Sequence, residues 1–384
     1  MIYLDNAATT QMDPRVLEAM IPYFNTYYGN ANSIHAIGRQ VTVAVEEARE
    51  RIAAFINADP AEIIFTSGGT ESDNAAIKGV LSATGKKHVI TSGLEHHAVL
   101  HPIQYARKIG VQASYVNVIP TGCVKSESVK EAINDDTALV SLMHVNNEIG
   151  SINPISEIAT VCHERGVIFH TDAVQSVGKY PIDVKAMDMD LLSASAHKFY
   201  GPKGIGFLYT KAGTPCTPWM EGGSQERKRR GGTLNVPGII GMAKALELAV
   251  SEMETNRTHV ESLKNMLVSG IKERFGTRVA FNGCMDSGCY YIVNISFPTD
   301  SDQSLDGEML LLNLDVEGIC VSNGSACTSG AIEPSHVLLA LGLVTPTAKS
   351  SLRLSLGKNN TAEEIQYTLE KLEMVVERMT KSLS

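Results

Sequence analysis

Short apolar runs alternate with stretches of helical periodicity through the first two thirds of this chain. Several of the apolar runs are almost continuous, which is typical of parallel strands that are buried on both faces. Alternating strands and helices favour an α/β domain built around a mostly parallel sheet. The predicted strands are Ile63–Thr66, His88–Thr91, Ser114–Val118, Leu139–His144, Val167–His170, Leu191–Ala194 and Ile205–Tyr209, which together make a seven-stranded sheet. The predicted helices among them are Arg39–Ile56, Thr70–Ser82, Ile155–Arg165 and Pro237–Glu254.

The last third of the chain has a different pattern. A helix is predicted over Val260–Phe275, and Tyr290–Phe297 and Leu352–Leu356 alternate like half-buried strands. Thr361 and Glu364 form a capping box, which predicts the start of an amphipathic C-terminal helix. This mixture of strands and helices is typical of a second, smaller α+β unit.

The change of pattern predicts two domains. We expect a large α/β domain over residues 16–258, and a small α+β domain made of residues 1–15 and 259–384. The small domain would carry a mobile cysteine loop at about residues 321–334, because that stretch is rich in small and polar residues. A hydrophobic content of 43% and a charged content of 20% are ordinary for a soluble globular enzyme.

Charge and cysteine usage exclude several classes of protein. A net charge of −9 argues against nucleic acid as a partner. No apolar run reaches the roughly 18 residues of a membrane span, and the N-terminus lacks the pattern of a signal peptide, so no membrane partner is expected. The seven cysteines are scattered without a Cys-x-x-Cys pair, which argues against a disulfide scaffold and a structural zinc site. We therefore expect a reducing, cytoplasmic compartment and no resident metal.

A lysine at the end of a predicted strand is the most informative chemical feature. Lys198 follows the run Ser195-Ala196-His197, and a Gly/Pro turn comes directly after it. Burial at the mouth of a strand lowers the pKa of a lysine and makes its amine nucleophilic. Such an amine forms a Schiff base with an aldehyde, and pyridoxal 5′-phosphate (PLP) is the common aldehyde cofactor. This run alone leaves open a surface lysine whose amine reaches into solvent.

Other polar residues follow neighbouring strands, where ligands of open α/β sheets bind. Asp172 could keep a pyridine nitrogen protonated, or could merely cap a helix. Asn147 follows another strand. Gly69 and Thr70 open a helix whose N-terminal N–H groups attract an anion, and Ser195 could add a hydroxyl donor. A Gly-Gly-Thr turn by itself is more often only a turn. The site is predicted because several such polar residues fall at the same edge of the predicted sheet.

Three further residues could complete a site for PLP and an amino acid. The amide of Gln175 could reach the phenolate oxygen of the cofactor if a helix starts near Asp172. An imidazole at His96 could stack on a pyridine ring or could cap a helix. Arg353 lies on the strand face opposite its leucine neighbours, where it could bind a carboxylate bidentately or be exposed.

Cys327 is the candidate nucleophile. Nearly every residue around it is small or polar, which is typical of an exposed, flexible loop. A cysteine in such a loop is available as a thiolate, unlike a buried one. Composition alone leaves open an unreactive loop cysteine.

Seven motifs, in order, carry a resemblance that covers essentially the whole chain. With them the sequence resembles the cysteine desulfurases of the class V aminotransferase family, in particular the iron–sulfur and nitrogen-fixation branch. The motifs are YLDNAATT, FTSGGTESDN, HVNNEIG, HTDAVQSVGK, SAHKFYGPKGIG, RRGGTLNVP and GSACTS. The resemblance implies the type I fold of PLP transferases and an enzyme that removes sulfur from L-cysteine and leaves L-alanine.

The resemblance also assigns a role to each candidate residue. Lys198 would be the lysine bonded to PLP and the catalytic base, Cys327 would carry the persulfide, and His96 would stack on the ring. Asn147 and Arg353 would hold the substrate carboxylate. The remaining cofactor contacts would come from Gly69, Thr70, Asp172, Gln175, Ser195, His197 and, from the other subunit, Thr233.

The assignment of Thr233 implies a homodimer with shared active sites. The family also implies a sulfur-acceptor or iron–sulfur scaffold protein as partner, and Cys327 could transiently bind an iron–sulfur cluster. Asn323, Gly231 and Ala31 depart from the family's usual residues, and none of the three belongs to the core chemistry.

Three other functions stay open: an aminotransferase on the same fold, a selenocysteine lyase on the same fold, and a scaffold without activity. The lack of Gly-x-Gly-x-x-Gly after the early strands argues against a nicotinamide dehydrogenase.

Overall fold

A computed structural model describes residues 1–298, 305–323 and 333–381 of the chain. The strands of these ranges are β1 Ile2–Tyr3, β2 Ile63–Thr66, β3 His88–Ser92, β4 Gln112–Val116, β5 Thr137–Ser141, β6 Ile168–Asp172, β7 Leu191–Ser195, β8 Gly206–Thr210, β9 Ala280–Asn282, β10 Ile292–Ser296, β11 Ile319–Cys320 and β12 Ser351–Ser355. The α-helices are α1 Pro14–Met20, α2 Pro22–Asn25, α3 Ala36–Phe55, α4 Gly69–Thr84, α5 His97–Lys108, α6 Ser126–Ala132, α7 Ile155–His163, α8 Val236–Ser251, α9 Met253–Phe275, α10 Gly307–Val316, α11 His336–Ala340, α12 Thr345–Lys349 and α13 Ala362–Lys381.

The large sheet has seven strands in the order β2-β8-β7-β6-β5-β3-β4. Only β8 is antiparallel to its neighbours, β2 and β7, and the other pairings are parallel. All strands except β8 therefore end at one edge. The expected seven-stranded, mostly parallel sheet is confirmed.

Helices cover both faces of this sheet, which explains why its strands read as continuous apolar runs. Successive side chains point to opposite faces, so Leu192 packs with α3, α7 and α8, whereas Leu191 packs with α4 and α5. The β5, β6 and β7 strands are buried along almost their whole length. Packing in the core therefore fixes the position of each strand end. It also fixes the position of the residue that follows each strand.

A second core surrounds an antiparallel sheet of order β12-β10-β9. Helices α9, α10 and α13 pack on it, and Leu4 and Ala7 from the N-terminus lie in the same core. β1 pairs in parallel with β11, and Asp5 bridges to Ser355 at the end of β12. The N-terminal residues therefore pack with the C-terminal part of the chain, and the division into two domains with its limits stays a prediction.

Most predicted elements occur within three residues of their expected limits. The predicted start of the helix Val260–Phe275 was wrong, because α9 begins at Met253. The capping box is present, since Thr361 Oγ1 accepts from the Glu364 backbone N–H at 3.3 Å and Glu364 Oε2 accepts from the Thr361 N–H at 3.2 Å. Within the described ranges, no helix combines the length and apolar character needed to cross a membrane.

Candidate active site

A pocket of about 480 Å³ lies at the edge where the parallel strands end. Ten of the twelve residues predicted for the site line it, although they come from segments far apart in the sequence. They are Gly69, Thr70, His96, Asn147, Asp172, Gln175, Ser195, His197, Lys198 and Arg353. The strand-end positions thus converge, as ligand sites of open α/β sheets do.

Lys198 lies directly after β7, in a short 3-10 turn over Ala196–Lys198. Its Nζ donates to the carbonyl oxygens of Ala7 at 2.6 Å and Ala8 at 2.8 Å. Burial, together with the nearby Arg353 guanidinium, lowers the pKa of Lys198 to about 8. The amine is therefore partly neutral near physiological pH and aimed into the pocket.

Asp172 is the last residue of β6 and is buried. Its Oδ1 accepts from the backbone N–H of Val174 at 2.9 Å. Burial raises the pKa of this carboxyl, while the Lys198 charge opposes the rise. A buried carboxylate with few donors around it is suited to face a cationic N–H group of a ligand.

The N-terminus of α4 points at the same pocket. Gly68 precedes the helix with a φ of +149°, a conformation that favours glycine, and a Cβ there would lie 3.5 Å from Ser195 Oγ. The first N–H groups of this 16-residue helix, with the Thr70 and Ser195 hydroxyls, form a set of donors suited to an anion. Burial lowers the pKa of His197 to about 4, so its ring is neutral near pH 7.

His96 combines the two alternatives that the sequence left open. It is the N-cap of α5, and its Nδ1 accepts from the backbone N–H of Ala98 at 3.1 Å. The same ring lines the pocket, and burial lowers its pKa to about 4. Capping therefore fixes the position of a neutral ring at the pocket wall.

Gln175 lines the pocket although no helix starts near Asp172. Residues 174–179 form turns, and Gln175 is 4% exposed. Its Nε2 donates to the Ala7 carbonyl at 2.9 Å, the same oxygen that binds Lys198 Nζ. The N-terminal segment thus connects two of the predicted site residues.

Arg353 projects from the middle of β12 and is buried, not exposed. One terminal nitrogen donates to Asp5 Oδ1 at 2.7 Å, and the other donates to the backbone carbonyl of Asn147 at 2.9 Å. Its Nε is buried and has no hydrogen-bond partner within the described ranges. The guanidinium is thus held in place with donor capacity left for a ligand.

The ten residues that line the pocket do not include Thr233 or Cys327. Thr233 is exposed and lies elsewhere on this chain, so its predicted role depends on a second subunit. Cys327 lies outside the described residues; Ser322, which precedes that range, lines the pocket.

Sequence reasoning missed Asp5, Ala7 and Ala8 as parts of the site. Asp5 could have been found, because it is the one acidic residue in the N-terminal motif YLDNAATT. Ala7 and Ala8 act through backbone carbonyls, and no side chain reports such a contact.

The residues of the pocket fit PLP. The donors around the start of α4 suit a phosphate, the buried Asp172 carboxylate suits a pyridine nitrogen, and Lys198 suits an aldehyde. Two buried polar atoms of the wall, Asp73 Oδ1 and Arg353 Nε, lack hydrogen-bond partners among the described residues. Such atoms are rare in a protein without a ligand to satisfy them.

Comparison with known proteins gives a consistent answer. The family model described as aminotransferase class-V matches residues 2–368. A protein of Dictyoglomus turgidum named cysteine desulfurase IscS is 47% identical, over 98% of this chain and 95% of its own length. A Bacillus subtilis protein named putative cysteine desulfurase IscS 1 is 46% identical, over 99% of each chain.

Solved structures agree with the sequence comparisons. A structure titled NifS-like protein superposes with a TM-score of 0.91 at 38% identity and covers 98% of this chain and 99% of its own. SspA in complex with cysteine superposes with a TM-score of 0.81 at 34% identity, covering 94% of this chain and 100% of its own. With a matching family model, full-length relatives and the strand-end pocket together, the chain belongs to the class V aminotransferase family and, within it, to the cysteine desulfurases.

Proposed function

We propose that this protein is a PLP-dependent cysteine desulfurase that removes sulfur from L-cysteine, leaves L-alanine and holds the sulfur as a persulfide on Cys327. The observation that carries the proposal is the convergence of ten predicted residues on one pocket, with a partly neutral lysine among them. Family membership supports the same activity, because close relatives carry the name cysteine desulfurase.

The residues that would hold the cofactor occupy different walls. Gly69, Thr70, Ser195 and His197 would bind the phosphate, Asp172 the ring nitrogen and Gln175 the ring oxygen, with His96 against the ring and Lys198 bonded to the aldehyde carbon. When bound, PLP supplies an electron sink for the negative charge that develops at the α-carbon of the amino acid.

Lys198 would move the proton. A pKa lowered by burial would leave the free amine of Lys198 able to accept the α-proton of the substrate near neutral pH. The Ala7 and Ala8 carbonyls keep Nζ at one position by accepting its N–H groups. The same ammonium can then return the proton.

Arg353 would orient the amino acid through its carboxylate. Asp5 and the Asn147 carbonyl fix the guanidinium, so that little conformational freedom is lost when the carboxylate binds. Asn147 itself lines the same pocket. This clamp would hold the amino acid by its carboxylate and leave its thiol free for the sulfur step.

The sulfur step balances without an external oxidant. The Cys327 thiolate attacks the substrate sulfur, a sulfur–sulfur bond forms, and the bond from sulfur to the β-carbon breaks with its electron pair going to carbon. One L-cysteine and one Cys327 thiol thus give one L-alanine and one Cys327 persulfide. An acceptor thiol can then take the outer sulfur.

The partners and location are also part of the proposal. A homodimer would bring Thr233 of one subunit to the phosphate of the other. An iron–sulfur scaffold or another sulfur acceptor would receive the sulfur, with Cys327 able to bind a cluster transiently. The six cysteines of the described residues are free thiols, which supports a reducing, cytoplasmic location.

The test is the formation of alanine and sulfide from L-cysteine, with a thiol reductant present, by the wild type and by Cys327→Ala. Both proteins should bind PLP and be yellow, because Cys327 has no role in holding the cofactor. We expect the wild type to release both products and Cys327→Ala to release neither.

A matched control is Cys284→Ala. The Cys284 thiol is hydrogen-bonded to Ser287, which lowers its pKa, so it is the thiol that a non-specific reaction would use. Unchanged activity of Cys284→Ala supports the assignment. Alanine formation by Cys327→Ala at the wild-type rate would contradict the persulfide role, and a wild type that binds no PLP would contradict the cofactor.

A further inference from the structure

Lys179 is a lysine that the proposed mechanism does not use. Lys179 lies in the turns after β6 and is half-buried as a whole residue. The end of its side chain, Nζ, faces the protein interior. Within the described ranges this Nζ has one hydrogen bond, donated to Gln175 Oε1 at 3.2 Å. It also lies 4.1 Å from the centre of the Tyr291 ring, a distance at which a cation and an aromatic face attract.

The contact matters because a glutamine amide has two chemically different ends. Oε1 only accepts hydrogen bonds, and Nε2 only donates them. Lys179 supplies a donor on one side of Gln175, and the Ala7 carbonyl supplies an acceptor on the other, 2.9 Å from Nε2. The Tyr291 hydroxyl also lies 3.4 Å from Oε1, but it donates its proton to the Gln175 backbone carbonyl at 2.6 Å, so the orientation of the amide depends on Lys179 and Ala7.

These neighbours leave Gln175 only one favourable orientation. If the amide were turned over, Oε1 would face the Ala7 carbonyl, so two acceptors would meet whatever the charge of Lys179. Burial and the Lys198 charge lower the pKa of Lys179 to about 7, and in its charged form Lys179 would also meet Nε2 as donor against donor. With Nε2 held toward Ala7, its second N–H is available to the pocket that Gln175 lines. The orientation decides whether the residue offers the pocket a donor or an acceptor.

We propose that Lys179 is a positioning residue that fixes the Gln175 amide with its N–H groups toward the pocket, so that Gln175 donates to an anionic ring oxygen of the cofactor. This inference rests on the proposed function, because it presumes PLP in the pocket. Tyr291 contacts Lys179 from the turn before β10, and its hydroxyl donates to the Gln175 backbone carbonyl at 2.6 Å. The three side chains therefore form one support behind the pocket wall.

The test titrates cofactor-free protein with PLP and records the affinity and the visible spectrum. Lys179→Met keeps the length of the side chain and removes its donors. We expect Lys179→Met to weaken PLP binding about three- to tenfold, the range for loss of one hydrogen bond, and to shift the absorption maximum. Lys179→Arg, which also only donates, should restore both values.

Two further variants separate positioning from general stability. Lys264 is a buried lysine whose Nζ donates to the Cys289 carbonyl at 2.8 Å, away from the pocket. Lys264→Met should lower stability and leave the spectrum unchanged. In a Gln175→Ala background, Lys179→Met should cause no further loss of affinity, because its effect passes through Gln175.

The outcomes distinguish the two proposals. A wild type that binds no PLP overturns the proposed function and this inference together. A wild type that binds PLP, with Lys179→Met unchanged in affinity and spectrum, overturns the inference alone. An equal loss in the Gln175→Ala background, or an equal spectral shift in Lys264→Met, also contradicts a role through the Gln175 amide.

Discussion

The protonation state of Lys198 sets how fast the empty site can bond to PLP. Only the neutral amine attacks the aldehyde, so the rate should rise with pH through the lysine pKa and then level off. Because burial lowers that pKa from 10.5 to about 8, we expect half of the maximal rate near pH 8 and a plateau above about pH 9. Stopped-flow absorbance of cofactor-free protein mixed with PLP measures this, and a rate that still rises steeply above pH 10 would contradict the assignment.

A second prediction at the residue scale concerns Arg353. Lysine has the same charge but lacks the fork that donates to Asp5 and the Asn147 carbonyl together. We expect Arg353→Lys to raise the KM for L-cysteine at least about tenfold, the effect of losing roughly 1.4 kcal/mol of binding energy. Steady-state alanine formation over a range of cysteine concentrations measures it.

Asp5→Asn is the control for that variant. It keeps an oxygen acceptor at the Arg353 contact and leaves the guanidinium in place, so its KM should change less than that of Arg353→Lys. A larger effect of Asp5→Asn would mean that Arg353 acts mainly as a structural partner of Asp5, not as a substrate contact.

At the scale of elements, the start of α4 is the part of the fold most directly shaped for a ligand. Gly68 has a positive φ that other residues adopt only with strain of about 1–3 kcal/mol. Gly68→Ala should therefore displace the first N–H groups of the helix and weaken PLP binding several-fold. Equilibrium titration of the cofactor-free protein measures the effect.

Gly85 provides a matched control on the same helix. It forms the C-cap of α4 with a φ of +68°, and a Cβ there would meet no atom within 4 Å. Gly85→Ala strains the backbone at the far end of the helix, so stability should fall by about 1 kcal/mol while PLP affinity stays unchanged. Equal losses of affinity in both variants would show that helix stability, not the N-terminal geometry, controls binding.

At the scale of the whole molecule, the proposed dimer predicts complementation between two inactive proteins. Lys198→Ala removes the catalytic amine of its own site, whereas Thr233→Glu places a negative charge at the phosphate of the other site. A mixed dimer has one site with both defects and one with neither. Mixing and exchanging the subunits should therefore restore activity, up to about a quarter of the wild-type value for random mixing.

The surface is consistent with such an association. Phe24, Tyr28 and Ile34 are 63%, 69% and 90% exposed, which is unusual for apolar side chains grouped in one short segment. Analytical ultracentrifugation should give the mass of a dimer. A monomer, or no regain of activity after subunit exchange, would contradict shared sites.

The sequence by itself determined the α/β class, the order of the large-sheet elements and most candidate residues, because these depend on local patterns. Continuous apolar runs predict that β6 and β7 are buried, and the polar residue that follows such a run must lie at the edge of the sheet. The resemblance then assigned roles that local chemistry left open, as at Asp172 and His96.

The tertiary structure decided what connects these residues. The sequence left Arg353 evenly balanced between a buried clamp and an exposed strand residue, and only the return of the N-terminus beside β12 brings Asp5 within 2.7 Å of it. The Ala7 carbonyl joins Lys198 to Gln175 across more than 160 positions of sequence, through backbone atoms that no side-chain pattern reports. Contacts of this kind depend on how distant segments pack, so a local reading of the sequence cannot contain them.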